Sequence, residues 1–267
     1  MISIIITHYK KSALLRLCLE SIKNTINDIE YEIIVIDSEA EKATQDFIEE
    51  KFPNVKYFSF LKNVGYSKLV NKGIEIAQGE YLFIINHDII LLKDSVSKML
   101  DFMKKNHKVG IIGPQLLTFN NEIQKSCFRF PTIGAIIARR TFLKKTRWNK
   151  EKLDYFLMNN ENLSSETEVV WVQGSAMFVR KEAIEKVGLW DERFFMYFED
   201  TDWCRRFWQN DYQVIYLPSA QIFHYYGRAS KKLGAFLDIL FNKYTQLHLM
   251  SFIKYLWKWR KDNKKKI

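Results

Sequence analysis

Apolar positions along the chain fall into short unbroken runs separated by stretches with helical spacing. Ile2–Ile6 is the first run; Leu14, Leu15, Cys18, Leu19 and Ile22 then recur at helical intervals before a second run, Ile33–Ile36. The alternation continues with a helix near Lys42–Lys51, a strand Val55–Phe60, a helix Ser67–Ala77 ended by Gly79, and a strand Tyr81–Ile85. Asp94–Asn106 reads as a helix and Val109–Ile112 as a strand. Strands buried on both faces and alternating with helices predict an α/β fold with a mostly parallel sheet and right-handed crossovers.

Beyond residue 114 the alternation weakens. Gln115–Phe128 reads as a hairpin, Arg129–Lys152 as a basic stretch, and Asn159–Glu168 as a polar, mobile loop. Strands are expected at Val169–Val172 and Ala176–Val179, flanking Gly174, and a short helix at Lys181–Val187 stopped by Gly188. A further helix, Asp200–Trp208, sets Asp202 to pair with Arg205 or Arg206. Val214–Leu217 is a strand ended by Pro218, and from Leu233 a long amphipathic helix is expected to run into the basic end.

With 267 residues, 47% hydrophobic and 27% charged, ten Gly and four Pro, the chain can bury a sizeable core, which excludes disorder, collagen and low complexity. Forty-one Lys+Arg against thirty-one Asp+Glu give a net charge of +10. Eleven of those basic residues and only two of the acidic ones fall in 228–267, so the excess charge belongs to the tail and the body is close to neutral. Cys18, Cys127 and Cys204 are odd in number and form no C-x-x-C pair, which argues against a disulfide scaffold or zinc ribbon and fits a reducing compartment. The N-terminus reads as a strand rather than a signal peptide, and no apolar run approaches the roughly 20 residues that span a bilayer. The expected location is cytoplasmic, soluble or peripheral on the inner face of the plasma membrane.

In open α/β sheets ligands bind outside the carboxyl ends of the strands. Polar residues there are Thr7-His8-Tyr9, Asp37-Ser38, Asn63-Val64-Gly65 and Asn86-His87-Asp88. The dinucleotide G-x-G-x-x-G is missing after the first strand and no phosphate-binding G-x-x-x-x-G-K-[ST] occurs. The ordered set Ile4-Ile5-Ile6-Thr7-His8-Tyr9, Ile33-Ile34-Val35-Ile36-Asp37, Asn63-Val64-Gly65-Tyr66, Asn71-Lys72-Gly73-Ile74, Asn86-His87-Asp88, Gly174–Arg180, Gly188–Asp202 and His224-Tyr225-Tyr226-Gly227 resembles glycosyltransferase family 2. The likeness covers roughly residues 2–227 and departs from the family at Asp37–Thr44, which lacks the usual D-N-x-S-x-D-x-T, and at Asn86, which stands where an acid is common.

This resemblance implies an inverting enzyme of GT-A fold. Residues 1–114 would form a Rossmann-like nucleotide-sugar-binding half and 115–227 an acceptor-binding, catalytic half, with 228–267 a basic helical tail. By the family pattern Asp200 is the general base and Glu199 orients a hydroxyl, while Asp88, with His224, holds Mg²⁺ or Mn²⁺ against the donor diphosphate. Asp37 would accept the imide N–H of uracil or thymine, beside Thr7 and Tyr9, which favours UDP- or dTDP-sugars. Asn86 and Gly174 are assigned to the donor pocket with Asn63, Gly65 and Asn71, although Asn63 and Asn71 serve equally well as turn and packing residues. Within the family the Asn-x-Asp element and the Glu199-Asp200-x-Asp202 block look most like bacterial rhamnosyltransferases. The implied reaction is sugar transfer, with rhamnose the first candidate, to a lipid-linked or growing saccharide in cell-surface polysaccharide synthesis. Galactofuranose, N-acetylhexosamine, glucose and galactose are alternative sugars, and a catalytically weak assembly module is a rival from another class.

The tail mixes aromatics with cations at Lys254-Tyr255-Leu256-Trp257-Lys258-Trp259-Arg260-Lys261 before Lys264-Lys265-Lys266. An interfacial helix on an anionic bilayer is the favoured reading, a helix packed on the domain the next, and nucleic-acid binding the least favoured.

Overall fold

A computed structural model describes residues 1–140, 147–225 and 242–261. Tyr226-Gly227, the 227/228 boundary, the helical positions from Leu233 to Phe241, Lys144-Lys145 and Lys264–Lys266 lie outside the described residues. The apolar runs become β1 (Ile2–His8), β2 (Tyr31–Ser38), β3 (Lys56–Phe60), β4 (Tyr81–Asn86) and β6 (Val109–Leu117), with a short β5 (Ile89–Leu91) after β4. Helices α1 (Ser12–Thr25), α2 (Lys42–Lys51), α3 (Tyr66–Ile76) and α4 (Ser95–Lys105) make the connections.

The second half adds β7 (Ile123–Gln124), β8 (Cys127–Phe128), α5 (Ile133–Arg140), α6 (Arg147–Phe156), β9 (Thr167–Glu168) and β10 (Trp171–Val172). There follow β11 (Ala176–Arg180), α7 (Lys181–Val187), α8 (Glu199–Gln209), β12 (Gln213–His224) and the C-terminal α9 (Lys243–Trp259).

The main sheet runs β3-β2-β1-β4-β11-β6-β12-β5. Pairs β1–β2, β1–β4, β2–β3 and β6–β12 are parallel, whereas β11 is antiparallel to both β4 and β6. An element of the second half is thus inserted between two strands of the first. Alternation along β1 divides the core: Ile4 and Ile6 meet Leu15, Cys18 and Ile22 of α1 and Met99 and Met103 of α4. On the other face Ile5 meets Leu69, Val70 and Ile74 of α3 and Trp203 and Phe207 of α8. Close approach of α3 to the sheet requires Gly73, where a Cβ would stand 2.2 Å from Ile5 Cγ2.

Two expectations change. Pro218 does not end its strand, because β12 continues to His224 across a register shift between Leu217 and Gln221, an irregularity where the ladder can dispense with the proline's missing N–H. The loop at 159–168 is closed by β9, which pairs with β12.

Candidate active site

The ends of β1, β2 and β4 lie in register, His8 beside Asp37 and Thr7 beside Asn86. Thr7 Oγ1 donates to Asn86 Oδ1 at 3.2 Å, and the Asn86 N–H donates to the Ser175 carbonyl at 3.0 Å, tying the strand ends to the segment before β11. Tyr9 is half-buried, with the Lys10 ammonium 5.3 Å from its ring centre. Asp37 is 1% exposed, and both its oxygens are engaged: His8 Nδ1 lies 2.7 Å from Oδ1, and the Tyr57 hydroxyl donates to Oδ2 at 2.7 Å.

Asp88 sits in the turn between β4 and β5, its carbonyl accepting from the Tyr225 N–H at 2.9 Å. Its Oδ1 lies 3.6 Å from Nε2 of His224, the last residue of β12, and has no hydrogen-bond partner among the described residues. Gln124 Oε1 is 3.0 Å from His224 Nδ1, which places the ring proton there and turns the Nε2 lone pair toward Asp88. Burial pushes Asp88 up to about 6 and His224 down to about 4. A buried carboxylate oxygen facing an imidazole lone pair suits a shared cation, and an O,N donor set fits Mg²⁺ or Mn²⁺. Among the described residues no group of three or more His, Cys, Asp or Glu converges, so a cation here would draw its remaining ligands from diphosphate and water.

Glu199 and Asp200 open α8 directly after Tyr197 and Phe198, both left-handed at φ 73° and 67°, which turns the chain sharply into the helix. Asp200 is held at both oxygens: the Gly174 N–H donates to Oδ2 at 3.0 Å and the Thr201 N–H to Oδ1 at 2.7 Å. Glu199 is buried and its Oε2 has no hydrogen-bond partner among the described residues. Burial first, and then the neighbouring Asp200, raise Glu199 well above the usual carboxylate range. Asp200 is also raised by burial, but its backbone donors oppose the shift. Asp200 is therefore the member that ionises first, leaving Glu199 to keep its proton.

The Tyr66 hydroxyl donates to the Gly174 carbonyl at 2.6 Å. Burial and then the fields of Glu199, Asp200 and Asp88 hold that phenol protonated. One ring thus senses both the Asn-x-Asp turn and the acidic helix start.

Asn63, Gly65 and Asn71 shape this region through the backbone. Asn63 Oδ1 accepts the Gly65 N–H at 3.0 Å. Gly65 has φ +88° and packs so closely on Phe195 that a Cβ would lie 2.7 Å from its ring. Asn71 exchanges hydrogen bonds with the Trp190 backbone, Nδ2 to the carbonyl and N–H to Oδ1, both 2.9 Å, and also donates to Glu192. The polar atoms of Asn71 are taken up in joining α3 to the 190–195 segment.

Asp202 is fully buried and pairs with Arg206 at 3.1 Å, one of the two partners its spacing allowed. The C-terminal helix supplies its other contacts. Lys258 Nζ lies 2.7 Å from Asp202 Oδ1 and 2.7 Å from Asp191 Oδ2, and Trp259 Nε1 donates to Asp202 Oδ1 at 2.9 Å. Phe252 and Tyr255 join Phe194 and Phe198 in a small core, so one face of α9 packs on the acidic block. Met250, Ile253 and Trp257 are 55%, 65% and 61% exposed. Pattern reading assigned no individual role to His8, Tyr66 or Lys258, which it met only inside motifs, and did not name Tyr57. The first could have been found from the equivalent strand-end positions of His8 and Asp37.

The profile of the family described as Glycosyl transferase family 2 matches residues 3–188. A Mycobacterium tuberculosis protein named N-acetylglucosaminyl-diphospho-decaprenol L-rhamnosyltransferase is 26% identical over 211 residues, 72% of this chain and 66% of its own length. Rhamnosyltransferase WbbL of Escherichia coli K12 is 28% identical over 184 residues, 67% of this chain and 62% of its own. The chain thus spans somewhat under two thirds of the length of these relatives. Among solved structures, GalNAc-T7 with UDP, GalNAc and Mn²⁺ superposes with a TM-score of 0.66 at 15% identity, covering 85% of this chain and 43% of that one. The mannosyltransferase PcManGT of Pyrobaculum calidifontis, in complex with GDP-Man and Mn²⁺, does so with a TM-score of 0.55 at 16% identity, covering 88% and 58%. With the α/β sheet, the Asn-x-Asp turn and the acidic helix start in place, the chain belongs to glycosyl transferase family 2 and has the GT-A fold.

Proposed function

We propose that this protein is an inverting glycosyltransferase that moves a sugar, rhamnose first among the candidates, from a dTDP- or UDP-sugar to a lipid-linked or growing saccharide. The observation that carries this reading is the Asp200 carboxylate, held by two backbone N–H groups beside a Glu199 that retains its proton, on the same end of the sheet as Asp88 and His224. The relatives named as rhamnosyltransferases, one of them acting on an N-acetylglucosaminyl-diphospho-decaprenol, support the sugar and the acceptor class.

In the reaction an acceptor hydroxyl oxygen forms a bond to the anomeric carbon while the bond from that carbon to the diphosphate oxygen breaks. The electron pair leaves with the diphosphate, and Asp200 takes the hydroxyl proton. Asp88 and His224 would hold Mg²⁺ or Mn²⁺, which supplies neutralising charge for the leaving diphosphate. Thr7, Tyr9, Asp37, Asn86 and Gly174 belong to the donor side, and Glu199, as a neutral carboxyl, can donate a hydrogen bond to a sugar hydroxyl.

Asp200→Asn should lose about 10²–10⁴-fold in kcat while binding UDP or dTDP as tightly as the wild type. Full turnover in that variant removes Asp200 from the base role. Mn²⁺ should strengthen nucleotide binding by the wild type and not by His224→Ala; equal strengthening in both removes His224 from the cation site.

The outward positions Met250, Ile253 and Trp257, at i, i+3 and i+7 of α9, lie among Lys254, Arg260 and Lys261 in the cationic tail. We assign this side to an anionic membrane surface on the cytoplasmic face. Sedimentation with vesicles containing anionic lipid should fall on Trp257→Glu, and unaltered sedimentation refutes the assignment.

A further inference from the structure

Tyr66 opens α3, and its two hydrogen bonds run to two different segments of the site. The backbone N–H donates to the Phe195 carbonyl at 2.7 Å, and the hydroxyl donates to the Gly174 carbonyl at 2.6 Å. Phe195 belongs to the stretch that feeds Glu199 and Asp200 into α8. Gly174 is the residue whose N–H donates to Asp200 Oδ2 at 3.0 Å. One residue therefore spans the segment that carries the acidic pair and the segment that hydrogen-bonds it.

Regular structure fixes neither partner. Gly174 sits in the turn 173–176 between β10 and β11 and belongs to neither ladder. Having no side chain, it cannot be held by packing of its own; a Cβ would stand 3.2 Å from both Asp200 Cβ and Trp190 Cη2. Its place is set through its backbone groups, the carbonyl on Tyr66 and the N–H on Asp200. On the other segment, Tyr197 and Phe198 are left-handed, a conformation that persists in non-glycine residues only where the surroundings impose it. Of the donors to Asp200, the Thr201 N–H comes from α8 itself, whereas the Gly174 N–H reaches it from another element. The Tyr66 ring is steadied by an edge contact with Trp190, 5.5 Å between centroids. Burial, and then the field of Glu199, keep its phenol protonated, so the donor is always present.

We propose, resting on the base role given to Asp200 above, that Tyr66 is a positioning residue for the general base. Its hydroxyl fixes Gly174, and Gly174 fixes the Asp200 carboxylate where it can take the acceptor proton. A phenylalanine at 66 fills the same space beside Trp190 and leaves the Gly174 carbonyl without that donor.

Turnover is measured with dTDP-rhamnose as donor and N-acetylglucosaminyl-diphospho-polyprenol as acceptor. Tyr66→Phe should lower kcat about tenfold and leave the KM for the donor within about twofold. Because Tyr66 acts through Asp200, the same change made in Asp200→Asn should leave kcat within about twofold of that single variant. A side chain that merely supports the fold lowers both backgrounds alike. Equal losses in the two backgrounds, full kcat in Tyr66→Phe, or a raised donor KM with kcat kept each overturn the proposal and leave the base role of Asp200 standing. Full turnover by Asp200→Asn overturns both.

A second readout on the wild type needs neither a folded variant nor the right pair of substrates. In native-state hydrogen exchange the Gly174 amide, although outside any ladder, should open together with the Tyr66 amide as denaturant is raised. Opening of Gly174 well before Tyr66 overturns the proposal.

Discussion

Replacing Lys258 by Met keeps the aliphatic stem of the side chain and removes the ammonium that joins α9 to the acidic block. That ammonium bridges Asp202, fully buried, and Asp191, 13% exposed, at 2.7 Å each. Hydrogen bonds to charged groups contribute about 1.5–3 kcal/mol each. Asp202 keeps Arg206 and Trp259 after the change, and the cost of burying the lysine disappears with it, so the net loss should be about 2 kcal/mol. For a chain of this size about 2–4 °C accompanies each kcal/mol, giving a fall in Tm of about 4–8 °C by calorimetry. Lys258→Arg should recover most of it.

The pH dependence carries a sign. Burial pushes Asp191 up, but hydrogen bonds from Arg193 and Lys258 outweigh it and hold the carboxyl well below the usual range. A carboxyl depressed in the folded state stabilises the protein above its unfolded pKa of about 4 and loses that contribution as the pH falls through the folded value. The gap between wild type and Lys258→Met should therefore narrow below about pH 4. Because Asp202 lies two residues beyond Asp200, kcat should fall while UDP binding is retained. A Tm within about 1 °C of wild type at neutral pH, against the shift expected for even one such bond, would refute the clamp.

Two further outcomes follow from packing and charge. Gly73→Ala places a methyl 2.2 Å from Ile5 Cγ2 and should destabilise by about 1–3 kcal/mol in denaturant titration despite alanine's better helix propensity. Combined with Ile5→Ala it should cost less than the sum of the two, and strict additivity would show that the contact is not the cause. For Glu199, raised by burial and by Asp200, the folded state holds its proton longer than the unfolded chain, so stability falls as pH rises from about 4.5 toward the folded value. Glu199→Gln should match the wild type in Tm near pH 4 and exceed it at pH 8; parallel Tm curves would contradict this.

The first half of the fold was legible because β1, β2 and β4 are strongly apolar and α1 between the first two buries Leu15, Cys18, Leu19 and Ile22 at helical spacing; α7 matched its expected bounds at Lys181–Val187. Strand direction was not legible. An apolar run such as Ala176–Val179 reads the same either way, and only its insertion between β4 and β6 makes it antiparallel. Pro218 misled because a proline removes one N–H and a register shift removes the need for it. The candidate site was legible as residues but not as pairs. His8 and Asp37 are 29 positions apart, and Asp202 and Lys258 are 56 apart, so neither contact leaves a local periodicity.

The bonds that join α3 to the 190–195 segment bear on how members of such a family could be recombined. Tyr66 donates its N–H to Phe195, Ser67 its hydroxyl to Phe194, and Asn71 exchanges two bonds with Trp190, while Gly65 has no space for a side chain against Phe195. A graft of residues 188–202 from a relative would carry half of that seam without its mate. Chimeras meant to exchange acceptor preference should keep their activity only when the donor parent also supplies residues 63–71, so the transplantable module is discontinuous in sequence.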